Sequence, residues 1–255
     1  MRTTTPFFIL ILVLFFGAGL AGCAGVDKEK DKIEKDAQFH YEMGAGYFES
    51  NEVPLAIREL TFALERNPDH EQAHYLMGFI YMGRRNYPRA IQHFTEVLRL
   101  NPQYHFAKNN LGTVYLSMER WQDAEEIYLE LLDEPLYTTP ELAHNNLGWA
   151  YYNMARHGEA LEHMRMASFL KPELCLADNN MGLVYEAMGN RREASAMYRR
   201  AINKCPMNYQ EPHFNLAKLM ADDGDGRARA HFERCVEIRP TSTIADRCRE
   251  YLRIR

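Results

Sequence analysis

Ten histidines and five cysteines are the side chains of this 255-residue chain with the widest chemistry. A metal site needs such groups to converge, as two histidines do one turn apart on a helix. Here His40, His74, His144 and His213 recur at one position of a long sequence period, so their spacing reads as a packing rule. No HExxH, glycine-rich phosphate loop, nucleophile elbow or pair of catalytic carboxylates stands out. The expectation is a protein that is not an enzyme, with no cofactor, no metal and no small-molecule substrate. Net charge is -5, so no basic surface for nucleic acid is expected either.

The period itself comes from a near-repetition. "NNLGTVY" (109–115), "NNLGWAY" (145–151) and "NNMGLVY" (179–185) share one pattern. With the glycine as marker, the slot holds Gly44, Gly78, Gly112, Gly148, Gly182 and Ala217, at gaps of 34, 34, 36, 34 and 35. An alanine follows each marker: Ala56, Ala90, Ala124, Ala160, Ala194 and Ala228. Prolines close the units at Pro68, Pro102, Pro172, Pro206 and Pro240, and the third unit has Pro135 followed by an extension. This pattern matches the tetratricopeptide repeat, in which each unit is two antiparallel helices. Glycine inside a helix costs about 1 kcal/mol against alanine, a cost offset only where close packing needs the space. Tyr47, Tyr81, Tyr115, Tyr151 and Tyr185, three residues past the glycine, are expected to fill the interior. Trp121 falls in the expected helix–helix turn of the third unit, where other units carry Val53, Tyr87 or His157, and reads as structural.

The predicted fold is all-α: a right-handed α-solenoid of six tetratricopeptide helix pairs over 37–240, closed by a capping helix over 241–255. Ser242 or Thr243 is the expected N-cap, and Ile244, Cys248, Tyr251 and Leu252 form one apolar stripe.

The N-terminus reads "MRTTTPFFILILVLFFGAGLAGCAG". A charged start, a short apolar core and small residues describe an export signal over 1–22. "LAGC" resembles the bacterial lipobox, which implies cleavage before Cys23 and lipidation of its thiol. With Ala24 and not aspartate next, the resemblance implies sorting to the outer membrane, with the repeats facing the periplasm. The mixed-charge stretch that follows, within 23–36, reads as a tether, although its Glu and Lys density also suits an extension of the first helix.

Four cysteines remain: Cys175, Cys205, Cys235 and Cys248. Without a CxxC, a metal or redox motif is not expected. Cys175 opens and Cys205 closes one antiparallel hairpin, and Cys235 and Cys248 flank the Pro240 turn. The pairs Cys175–Cys205 and Cys235–Cys248 follow from that geometry. Each would contribute about 3 kcal/mol by loop closure. The alternative is four thiols packed as small hydrophobes.

A solenoid of this kind binds through its concave wall, lined by the first helix of each unit. The slots expected to face it lie three and two before the marker, and one, four and five after. The asparagine pairs fall there: Asn109 and Asn110, Asn145 and Asn146, Asn179 and Asn180. Amides carry donors and an acceptor and suit the backbone of an extended peptide; the alternative is that they bridge adjacent helices. Tyr41, Phe48, Tyr75, Phe79, Met82, Trp149 and Tyr152 add large apolar side chains to the same slots. The wall lacks the lysine and arginine pairs that clamp a terminal carboxylate, which points to an amphipathic or apolar partner segment.

A lipoprotein signal, a short charged stretch, six such repeats and the junction "DEPLYTTPELAHNNLG" together resemble the pilotin lipoproteins of type IV pilus biogenesis. The resemblance implies an outer-membrane-anchored scaffold that binds secretin subunits and promotes their assembly into the pilus channel. Members of that family carry cysteines in the middle repeats where this chain has Tyr115 and Tyr151, so no disulfide carries over. The alternative is an envelope scaffold that docks peptidoglycan hydrolases or proteases at the outer membrane.

Overall fold

The computed structural model describes residues 20–254, with side chains from 29 to 253. Residues 1–19 of the export signal and the Cys23 side chain lie outside the described residues. The described residues form thirteen helices and no strand. None is long and apolar enough to cross a membrane. The chain divides into two compact units, 1–102 and 103–255.

The first unit holds two helix pairs: α1 (Leu20–Glu49) with α2 (Val53–Arg66), and α3 (Glu71–Gly83) with α4 (Tyr87–Leu100). The charged stretch 26–36 is helical and belongs to α1, as its Glu and Lys density allows. The second unit holds α5 (His105–Ser117) with α6 (Trp121–Leu132), α7 (Pro140–Asn153) with α8 (His157–Leu170), α9 (Cys175–Ala187) with α10 (Arg191–Lys204), and α11 (Glu211–Asp222) with α12 (Ala228–Ile238). The last helix, α13 (Thr243–Ile254), packs on α11 and α12. Within each unit every helix packs on the next, and successive first helices touch, which is solenoid stacking.

The marker glycines are a packing requirement. A Cβ on Gly78 would lie 2.7 Å from the Phe94 ring, and one on Gly112 would lie 2.8 Å from the Tyr128 ring. The large side chain lying on each marker is therefore Leu60, Phe94, Tyr128, Met164 or Tyr198, one on each second helix. These five are buried, as are the six alanines that follow the markers. The same slot near the end of each second helix holds Ala63, Val97, Leu131, Ala167, Ala201 and Cys235, all fully buried.

The five tyrosines divide. Tyr81 and Tyr151 are buried, whereas Tyr47, Tyr115 and Tyr185 are half-buried, which corrects the expectation that all fill the interior. Arginine guanidiniums from the turns cap rings of both kinds, Arg120 at 4.5 Å from the half-buried Tyr115 and Arg156 at 4.2 Å from the buried Tyr151.

Each turn from first to second helix needs a left-handed residue. Asn51, Arg85, Glu119, Ala155, Gly189 and Gly224 supply it, with φ between 59° and 76°. Only the last two are glycine, and the side chains at the others cost about 1–2 kcal/mol each.

Two disulfides tie the second unit. Cys175 bonds Cys205 with Cα atoms 6.1 Å apart, joining the start of α9 to the end of α10. Cys235 bonds Cys248 at 6.5 Å, joining α12 to α13. Ser242 is the cap of α13, its Oγ accepting from Ala245 N–H at 3.0 Å.

Candidate functional site

The first-helix faces of the two units are built from the same slots and filled differently. In the first unit the Phe48 and Phe79 rings meet edge-to-face at 5.9 Å, and Tyr41 lies 5.1 Å from the His70 ring. Tyr75 packs at 6.1 Å against Phe94, the ring beneath the glycine. Phe79 is 40% exposed; Tyr41, Phe48, Tyr75 and Met82 are half-buried. All five predicted residues of this unit thus lie on first helices with part of their surface exposed.

In the second unit the Trp149 and Tyr152 rings lie 5.1 Å apart on α7, tilted by 30°, both half-buried. The asparagines beside them do something else. Asn180 donates to Asn145 Oδ1 at 3.1 Å, and Asn215 donates to Asn179 Oδ1 at 3.0 Å. The rule is that the amide two before one marker donates to the amide three before the previous marker, bridging consecutive first helices. Asn146 departs from it and donates to Tyr128 Oη at 3.0 Å, while Asn109 Oδ1 is buried without a protein donor.

This corrects part of the site. Asn145, Asn179 and Asn180 are buried and spend their amides between repeats, so they present no polar ladder to a partner. A buried amide that lost its partner would face a desolvation cost, which is why the stack closes on them. Asn109, Asn110 and Asn146 are half-buried. Further along the same face, Lys218 pairs with Glu186 at 2.9 Å, and Tyr198 Oη donates to Glu186 at 2.8 Å.

The histidine slot also resolves. Four residues before each marker stands His40, His74, Lys108, His144, Asp178 or His213, and each meets the second helix of its own repeat. His40 reaches Glu59 at 2.9 Å, and its hydrogen bond holds the Glu59 carboxyl below its usual range. Lys108 lies 3.5 Å from both Glu130 and Glu134. Asp178, fully buried, sits between Arg200 and Lys204. The other three are imidazole pairs joined Nδ1 to Nδ1: His74–His93 at 2.9 Å, His144–His163 at 2.9 Å and His213–His231 at 3.0 Å.

His74 shows which nitrogen carries the proton. Its Nε2 lies 2.9 Å from the Pro68 carbonyl, which only accepts, so in the neutral ring the proton is on Nε2 and Nδ1 accepts from His93. Burial, with the facing histidine second, pushes His93, His144 and His213 down to about 4. Sequence reasoning found the recurrent histidines and missed their partners, although His93, His163 and His231 recur as well, 19, 19 and 18 residues after His74, His144 and His213. Among the described residues no group of three or more His, Cys, Asp or Glu side chains could hold a metal ion.

Comparison with known proteins agrees with this architecture. Tetratricopeptide-repeat models match residues 71–104, 109–173 and 179–205. The chain therefore carries tetratricopeptide repeats, the paired helices described above. A search of curated proteins by sequence gives no match. A crystal structure of PilW, a widely conserved type IV pilus biogenesis factor, is similar with a TM-score of 0.72 at 17% identity, over 82% of this chain and 96% of that one. PilF of Pseudomonas aeruginosa is similar with a TM-score of 0.66 at 17% identity, over 88% of this chain and 99% of that one. A thermophilic tetratricopeptide protein of Thermus thermophilus gives 0.62 at 22% identity, over 71% of this chain and 98% of that one. At these identities the likeness is one of fold.

Proposed function

We propose that this chain is an outer-membrane-anchored scaffold, held by lipid on Cys23, that promotes assembly of the type IV pilus secretin as a pilotin. The observation that carries the reading is a pairing: an "LAGC" lipobox at the end of an export signal, in a chain whose fold spans nearly the full length of PilW and PilF. The apolar first-helix residues Tyr41, Phe48, Tyr75, Phe79 and Met82, and Trp149 with Tyr152, are the contacts offered to an amphipathic secretin segment. Aromatic anchors of this kind carry most of the energy of protein interfaces, often about 2 kcal/mol or more each. Acyl chains at about 0.8 kcal/mol per buried methylene keep the scaffold at the membrane where the ring forms.

The test is deletion of the gene followed by complementation. The wild-type gene restores heat-resistant secretin multimers, and Cys23→Ala restores monomers only. Mass spectrometry of the matured protein finds acyl chains on Cys23. Multimers that persist in the deletion strain contradict the secretin role and favour a wall-enzyme scaffold; an unmodified Cys23 contradicts the anchor.

A further inference from the structure

The second unit carries a cleft on its second-helix side that the first-helix faces do not use. It opens between α8 and α10, with α9 as its floor, and has a volume of about 570 Å³. Met181, Met197, Tyr185 and Phe169 give it apolar walls, and Arg165, Arg200 and Lys204 rim it. Phe169 is 77% exposed, the most exposed large apolar side chain of the described residues. Among the described residues no carboxylate lines the cleft.

The charges are arranged, not scattered. Arg200 Nε donates to Asp178 Oδ1 at 2.8 Å and its Nη2 donates to Ser168 Oγ at 2.8 Å. Lys204 closes on the other oxygen of Asp178 and donates to Ser168 Oγ at 3.3 Å. Arg165 donates to Tyr185 Oη at 2.8 Å. Arg200 and Lys204 share the single buried carboxylate of Asp178 while Arg165 rests on Tyr185, so these four side chains carry two positive charges in excess. The Cys175–Cys205 bond holds the wall from below, since it joins the start of α9 to the residue after Lys204. A cationic rim on a fixed apolar floor is complementary to a segment with carboxylates flanking a large apolar side chain.

We infer that the cleft between α8 and α10 is a second docking site, which takes an acidic peptide segment with an apolar anchor from a protein partner. The anchor enters between Met181, Met197 and Phe169, and its flanking carboxylates meet Arg165 and Arg200. This site rests on the protein-interaction reading alone and is independent of the secretin assignment.

The experiment uses the full lipidated chain in detergent micelles. The probe is a fluorescein-labelled peptide of alternating Asp/Glu with a central Phe, read by anisotropy beside its Asn/Gln counterpart. The acidic peptide binds, its affinity falls with added salt, and the amide counterpart binds at least about tenfold more weakly. Arg165→Glu and Phe169→Ser each weaken binding at least about tenfold with the melting temperature unchanged, because neither side chain is in the core. Secretin multimers in cells are not the readout, so failure here leaves the pilotin reading standing. Equal binding of both peptides, or full affinity in Arg165→Glu, overturns the site. So does Arg165-dependent binding to phosphatidylglycerol vesicles, or Arg165-dependent self-association by sedimentation, in place of peptide binding.

Discussion

The first unit and the second use the slot three before the marker in opposite ways. In the first unit it holds Tyr41 and Tyr75, half-buried aromatic rings on the first helices that also carry Phe48 and Phe79. In the second it holds Asn109, Asn145 and Asn179, with the buried Phe214 ring in the last repeat, and two of these amides are bonded to the next repeat. The second unit adds the Lys218–Glu186 pair between repeats, one disulfide within the α9–α10 pair and one from α12 to α13. A repeat fold repeats its backbone, and one backbone position serves either for holding neighbours together or for meeting a partner. An amide buried without a partner is costly and an aromatic ring is not, so side-chain chemistry selects the use.

The largest effect sharpening this contrast is at the shared core. Tyr198→Ala removes the buried ring that fills the space over Gly182 and is expected to cost about 3–5 kcal/mol by denaturant unfolding. Next comes the amide bridge. Asn180→Ala strands the buried Asn145 and is expected to cost about 1–3 kcal/mol, whereas Phe79→Ala in the first unit is expected to cost under about 0.5 kcal/mol. Equal losses at the two sites would erase the distinction between the faces.

Acid is expected to act through the imidazole pairs. The folded His93, His144 and His213 titrate at about 4, against about 6.5 in an unfolded chain. Between these values the unfolded chain binds more protons, so stability falls as pH drops from about 6.5 toward 4. The loss should be roughly 1 kcal/mol per pair, followed as melting temperature against pH, and His213→Asn should flatten its share. One substitution is expected to give a gain. Ala155 holds a left-handed turn at φ 59°, and Ala155→Gly should stabilise the chain by about 0.5–1 kcal/mol in a thermal melt.

The helix pairs, the glycine crossings and the alanine slots were legible in the sequence because a period of 34 repeats the same local physics along the chain. The cysteine pairing was legible because Cys175 and Cys205 stand at the two neighbouring ends of one hairpin, and the structure joins them. The amide bridges were not. Asn145 and Asn180 are 35 residues apart and belong to different repeats, and whether such residues bond each other or face outward depends on the roll of each helix. A period fixes spacing and leaves that roll open. The cleft was invisible for a similar reason. Arg165, Tyr185 and Arg200 come from three helices and share no motif.

The central claim is that the apolar first-helix side chains serve a partner and not the core, and Phe79→Ala combined with Trp149→Ala tests it most directly. The account predicts a melting temperature within a few degrees of wild type, together with loss of heat-resistant secretin multimers while monomers persist. A double variant that unfolds would place those rings in the core. A folded variant that still assembles multimers would remove the first-helix faces from the interaction.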